Sequence, residues 1–227
     1  MNTLLLIDKV HSDKVAEYFI QRNHSIQIIT KHSSPAHNNY ASYVIGDKIN
    51  LSSIHSPELI ISYRFWAKIP ESILKLASFN AFNYHPAPLP EYRGVKCATF
   101  SIINDDKYYG VTVHKITKDF DAGEILKVNY FLINENETGF SLSNRANDQL
   151  YDLFIETIED IIARDYTLNE NCLREGALYT NKLFHKSRHV PPNLPNKELF
   201  KYYRAYYHPD YEGAYTIINN HKRVLTE

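Results

Sequence analysis

The segment Phe82-Asn83-Tyr84-His85-Pro86-Ala87-Pro88-Leu89-Pro90-Glu91-Tyr92-Arg93-Gly94 constrains this chain more than any other. It sets an amide and an imidazole two residues apart and follows them at once with three prolines. If residues 81–85 are extended, side chains alternate, so Asn83 and His85 project from one face and converge on one spot. Pro86, Pro88 and Pro90 each fix φ and bias the residue before them toward extended geometry. The strand therefore runs into a stiff loop that aims the imidazole, an arrangement that holds a site and is not needed to fill a core.

Downstream, Gly110-Val111-Thr112-Val113-His114-Lys115-Ile116 alternates as a half-buried strand. It leads into Asp119-Phe120-Asp121-Ala122-Gly123, an acidic turn closed by glycine before the apolar run that starts at Ile125. Asp121 is thereby expected to reach the other two groups. Alone, an Asn-x-His at a strand end reads more readily as a satisfied polar pair beside a turn; the acidic turn shifts the balance toward chemistry. An Asn, a His and an Asp at strand ends suit attack by a neutral amine on an acyl carbon. Asn83 would donate to the developing oxyanion, His85 would donate a second bond or move the proton, and Asp121 would orient and charge-stabilise the imidazole. Such a reaction needs no serine or cysteine nucleophile.

These residues resemble the signature of the folate-dependent formyltransferases, Asn-x-His-Pro-x-x-Leu-Pro-x-Tyr-x-Gly followed by Gly-Val-Thr and Asp-x-Gly. Asn83, His85, Pro86, Leu89, Pro90, Tyr92, Gly94, then Gly110 to Thr112, then Asp121 and Gly123 carry it. The resemblance is specific over residues 60–126 and looser before them. It implies 10-formyltetrahydrofolate as donor, a primary amine as acceptor, no metal, and Asn83, His85 and Asp121 as catalytic residues. It also implies donor contacts, largely through backbone groups, along Ser62, Tyr63, Arg64, Phe65, Ile69 and Pro70, with Asp119.

Within that family the run 85–94 and the tail Arg204-Ala205-Tyr206-Tyr207-His208-Pro209 look most like the sugar N-formyltransferases. That likeness implies a dTDP-linked amino-dideoxy sugar as partner, dTDP-4-amino-4,6-dideoxyglucose being the expected one, for surface polysaccharide or O-antigen assembly. Tyr84, Pro86, Arg93, Gly94, Lys96, His114, Lys182, Arg188 and Arg204 are the substrate contacts it implies, and a carboxyl-terminal hairpin would form a homodimer. His114 reads equally as a structural histidine. Tyr202, Tyr206 and Tyr207 read either as base-stacking platforms or as cross-strand packing or a dimer face. Another primary amine as acceptor, a formyltetrahydrofolate hydrolase, and a folate- or nucleotide-binding module are the alternatives. Hydrolases of that kind are expected, from the resemblance, to carry an extra amino-terminal regulatory domain, whereas here the first strand is expected to start at Thr3. Against a methionyl-tRNA acceptor stands the lack of a long basic carboxyl-terminal domain.

Composition agrees with this reading. The 227 residues, 44% hydrophobic and 22% charged, suffice for one substantial core plus an appendage. No apolar run approaches the ~20 residues that cross a bilayer, so no membrane partner is expected. The first strand meets Asp8 too early for a secretory signal, so the cytoplasm is expected. A net charge of −1 offers no long-range attraction to nucleic acid. Cys97 and Cys172 are too few for a disulfide framework and lack zinc-site clustering, and Cys97 reads as a buried thiol. The first βα turn, Asp8-Lys9-Val10-His11-Ser12, has no glycine, which excludes a dinucleotide fingerprint there.

The periodicities predict strands over 3–8, 25–30, 58–63 and 81–85, and helices over 12–23 (capped by Ser12), 70–76, 95–104 and 141–163. Residues 31–40 are read as a loop. The fold class is therefore α/β, a Rossmann-like formyltransferase core with a mostly parallel sheet plus a small C-terminal β-hairpin and aromatic extension. Residues 1–170 are expected to form the catalytic domain and 171–227 the extension for nucleotide-sugar contacts and dimerisation.

Overall fold

The computed structural model describes residues 1–8, 10–30, 42–44, 54–65, 67–171 and 176–226. The loop expected over 31–40, Lys9 of the first turn, and Cys172 lie outside the described residues. The chain runs β1 (Asn2–Ile7), α1 (Ser12–Gln21), β2 (Ser25–Thr30), β3 (Ser42–Val44), β4 (Leu59–Tyr63), α2 (Glu71–Leu74), β5 (Asn80–His85), β6 (Tyr92–Gly94), α3 (Cys97–Ile103) and β7 (Tyr108–Lys115). It continues with β8 (Ile125–Leu132), α4 (Gly139–Ala163), β9 (Ala177–Tyr179), α5 (Asn181–Ser187), α6 (Asn196–Tyr206), β10 (Tyr215–Ile218) and β11 (His221–Val224).

A seven-stranded sheet has the order β3-β2-β1-β4-β5-β7-β8. Pairing is parallel from β3 to β5, and β5 meets β7 antiparallel. This is the mainly parallel α/β sheet the sequence leads one to expect, and the carboxyl-terminal hairpin is present as antiparallel β10 and β11. By contacts the chain forms two compact units. One comprises Met1–His85, Thr112–Lys127 and Leu150–Asn171; the other comprises Pro86–Val111, Val128–Gln149 and Cys172–Glu227. The division therefore does not run at residue 170: the segments after β5 and within β8 and α4 group with the tail. Among the described residues no helix is long and apolar enough to cross a membrane.

In the first unit, β1 and β4 are apolar without alternation because both sheet faces are covered. One face buries Leu4, Leu6, Ile60 and Ala81 with Ile73 of α2. The other stacks aromatic rings, Tyr63 against Tyr84 at 5.9 Å and Tyr84 against Phe154 of α4 at 5.3 Å. Register puts Asn83 on the first face, since Ile60 pairs with Ala81 and Ser62 lies beside Asn83 in the ladder.

Three local expectations are corrected. Helix α1 is not capped by Ser12, which is buried inside it; His11 holds the cap position with φ 62 and no side-chain cap bond. Helix α2 is a single turn, Glu71–Leu74, entered from extended Pro70. The tyrosine-rich segment around 200–207 is helix α6, not strand. Its rings meet at helical spacing, Phe200 with Tyr203 at 6.0 Å and Tyr203 with Tyr207 at 5.8 Å, so they do not pack across strands.

Candidate active site

Strand β5 delivers the predicted pair. Asn83 and His85 share one face, whereas Tyr84 points to the other and is completely buried. Antiparallel β7 sets His114 opposite Asn83 in the ladder. His114 Nδ1 lies 2.7 Å from the Lys115 carbonyl oxygen, which can only accept, so Nδ1 carries the hydrogen. In the neutral ring Nε2 is then an acceptor, and Asn83 Nδ2 donates to it at 3.1 Å. This bond fixes which end of the Asn83 amide is nitrogen. It leaves the second N–H of that nitrogen for a substrate oxygen.

Asp121 stands between two imidazoles. Its Oδ1 is 3.8 Å from His85 Nδ1 and 3.6 Å from His114 Nε2, with the three side chains 11%, 6% and 2% exposed. At these separations and this burial the carboxylate acts through charge, favouring a proton on His85 when one arrives. Asp121 reaches this position in the left-handed region, φ 49, which Asp tolerates better than most residues. The turn that carries it packs tightly. A Cβ on Gly123 would lie 2.0 Å from the Lys115 carbonyl oxygen, so only glycine fits. Gly123→Ala is expected to destabilise the protein by at least the ~1–3 kcal/mol typical of overpacking and to lower turnover by displacing Asp121. Thermal melting with steady-state kinetics checks both.

A cleft opens beside these groups, lined by Ser62, Phe65, Ile69, Asn83, His114 and Asp119 among others. Phe65 and Ile69 continue the apolar core face up to the polar cluster. An apolar wall ending in Asn, His and Asp suits a flat heteroaromatic donor carrying an acyl group. Of the expected donor contacts, Ser62, Phe65, Ile69 and Asp119 line the cleft. Tyr63 does not offer its side chain there: it is fully buried on the opposite face, against Tyr84. Arg64 and Pro70 are not among the lining residues.

The expected substrate contacts fare unevenly. Tyr84 is corrected, because its hydroxyl bonds Thr157 Oγ1 at 2.9 Å inside the core, where burial pushes the phenol up out of its ordinary range. His114 joins the cluster of Asn83 and Asp121. Gly94 has φ 91, and a Cβ there would meet the Tyr179 carbonyl oxygen at 2.1 Å, so its place is explained by the β6–β9 pairing. Arg204 and Arg188 are also spoken for. Arg204 donates to the carbonyls of Glu135 at 2.5 Å and Glu137 at 3.0 Å, and Arg188 to those of Glu212 at 2.5 Å and Gly213 at 2.9 Å. Both guanidinium groups tie backbone together. Lys96 and Lys182 are exposed, and Pro86 and Arg93 are half-buried, all in the second unit. Tyr206 is buried and bonds Ser187 Oγ at 2.8 Å, which removes it as a base platform. Among the described residues no group of three or more His, Cys, Asp or Glu is placed to hold a metal ion.

Comparison with known proteins gives these residues a context. Methionyl-tRNA formyltransferase of Halothermothrix orenii is 30% identical over 161 residues, 71% of this chain and 50% of that protein. GDP-perosamine N-formyltransferase of Brucella melitensis is 38% identical over 89 residues, 39% of this chain and 34% of that protein. The chain thus spans about half or less of the length of these curated relatives. In fold it is similar to the N-formyltransferase of Helicobacter canadensis, solved with folinic acid and dTDP-3-aminofucose. The TM-score is 0.79 at 20% identity, covering 97% of this chain and 85% of that one. The model of the formyl transferase family matches residues 9–158, which hold β4, β5, β7 and every member of the cluster. With two thirds of its length so matched, the chain belongs to the formyl transferase family.

Proposed function

We propose that this protein transfers a formyl group from 10-formyltetrahydrofolate to the exocyclic amine of a nucleotide-linked amino sugar. The observation that carries this reading is the Asn83 to His114 bond with Asp121 set between two imidazoles. It provides a fixed N–H donor, a proton carrier and a stabilising charge, and no nucleophile of its own. The amine nitrogen of the sugar attacks the formyl carbon in its neutral form. Asn83 donates its free N–H to the formyl oxygen as negative charge collects there, and His85 takes the proton that leaves the amine. Asp121 stabilises the resulting imidazolium. The departing folate nitrogen recovers a proton from His85, which returns the site to its starting state.

The sugar acceptor is supported by the names of the Brucella and Helicobacter proteins, which act on or bind nucleotide-linked amino sugars. A dTDP-linked sugar, specifically dTDP-4-amino-4,6-dideoxyglucose, with a role in surface polysaccharide or O-antigen assembly by a cytoplasmic homodimer, is the finer form of the proposal. The test is an assay with 10-formyltetrahydrofolate and a panel of dTDP-, UDP- and GDP-linked amino sugars, following tetrahydrofolate and formamide product by mass spectrometry. Product with one dTDP-amino sugar is expected. Tetrahydrofolate without formylated sugar would transfer the assignment to a hydrolase or another amine. No tetrahydrofolate at all would leave only a binding module.

A further inference from the structure

We infer that Asn171, fifty residues beyond the acidic turn, is a positioning residue that holds Asp121 in its working place. The inference rests on the formyl-transfer reading and goes beyond it, because nothing in the motif or its spacing reaches position 171. Asn171 is 8% exposed, and its side-chain nitrogen donates to two carbonyls of the turn, Asp121 at 3.0 Å and Gly123 at 3.0 Å. Only a carboxamide nitrogen can do this as a neutral group, giving one hydrogen to each oxygen.

The geometry explains why such a brace is needed. Asp121 sits in the left-handed region with φ 49, a conformation that persists when surrounding bonds enforce it. The carbonyl that Asn171 holds belongs to that same residue, so restraining it restrains the backbone from which the carboxylate projects. That carboxylate lies beyond hydrogen-bond reach of both imidazoles, at 3.8 Å and 3.6 Å, and its effect depends on staying there. Asn171 is itself anchored independently. Two residues earlier, Asn169 exchanges backbone bonds with Ile125 at 2.8 Å and 2.7 Å, which pins the segment to the start of β8. Loss of the Asn171 side chain therefore frees the turn without detaching the segment.

The test is Asn171→Leu, of similar size with no donors, beside Asn171→Ser, which keeps one. Turnover should fall about 10- to 100-fold in Asn171→Leu, the scale of a misplacement remote from the chemistry, with Asn171→Ser intermediate and KM for both substrates unchanged. The deciding measurement is the double-mutant cycle with Asp121→Ala. If Asn171 acts through Asp121, Asn171→Leu adds no further loss once Asp121 is alanine. An equal loss in both backgrounds would overturn the inference, as would a lowered melting point with turnover of the folded enzyme intact. Wild-type turnover in Asp121→Ala alone would instead show that the catalytic reading beneath it has failed. Should Asn171→Leu not fold, the same cycle run with Asn171→Ser decides the question.

Discussion

Replacing Asn83 with alanine is expected to lower turnover by about 100- to 1,000-fold, the cost of removing one donor from a developing oxyanion. The structure says why the loss should be chemical rather than architectural. Asn83 is half-buried at the end of β5, and its side-chain nitrogen bonds a ring nitrogen, His114 Nε2, at 3.1 Å. Removing it leaves that buried acceptor without its donor, which costs about 1–3 kcal/mol. The melting point should therefore drop by only some degrees while turnover collapses. Asn83→Asp should be as inactive as alanine, because a carboxylate cannot donate to the oxygen and would face the lone pair of His114. KM for the folate donor should change little in either variant. Turnover within a few-fold of wild type in Asn83→Ala would remove Asn83 from the chemistry.

Much of this arrangement is legible in the sequence, for reasons that are physical. Strand alternation plus three prolines suffices to put Asn83 and His85 on one face at a strand end, and the glycine after Asp121 marks the tight turn that the Lys115 carbonyl enforces. The same alternation argues against Tyr84 as a substrate contact, since a residue between two site residues must face the opposite way. There it meets Thr157, and the pleat leaves its side chain no way to the site face. Arg188 and Arg204 show a different limit. A cation in a tail is identical in sequence whether it waits for phosphate or bonds carbonyls, and only the positions of Glu135, Glu137, Glu212 and Gly213 decide. His114 is ambiguous in sequence for a related reason: its partner is set by antiparallel register, which periodicity along one strand does not specify. Asn171 lay beyond reach altogether, because its bonds span fifty residues with no motif between.

His85→Gln should lower turnover by about 100- to 10,000-fold, the range of a positioned acid–base group. Gln can keep a hydrogen-bond donor near the same place but cannot carry a proton across, so the variant separates the two roles open to His85. If donation to the oxyanion were its task, Gln would retain most of the rate. If proton transfer is its task, the loss persists and the pH–rate profile changes shape. In the wild type two groups must be neutral for attack, the sugar amine and His85, and protonation of either slows the reaction as pH falls. In His85→Gln the part of that acid limb owed to the imidazole should vanish, while the part owed to the amine remains. Asp121→Asn supplies the complementary shift. With the carboxylate 3.8 Å away neutralised, a proton on His85 loses its stabilising charge, so the imidazole part of the limb should move to lower pH as turnover falls. A limb unmoved in Asp121→Asn would mean that Asp121 serves His114 and the turn, not the proton carrier.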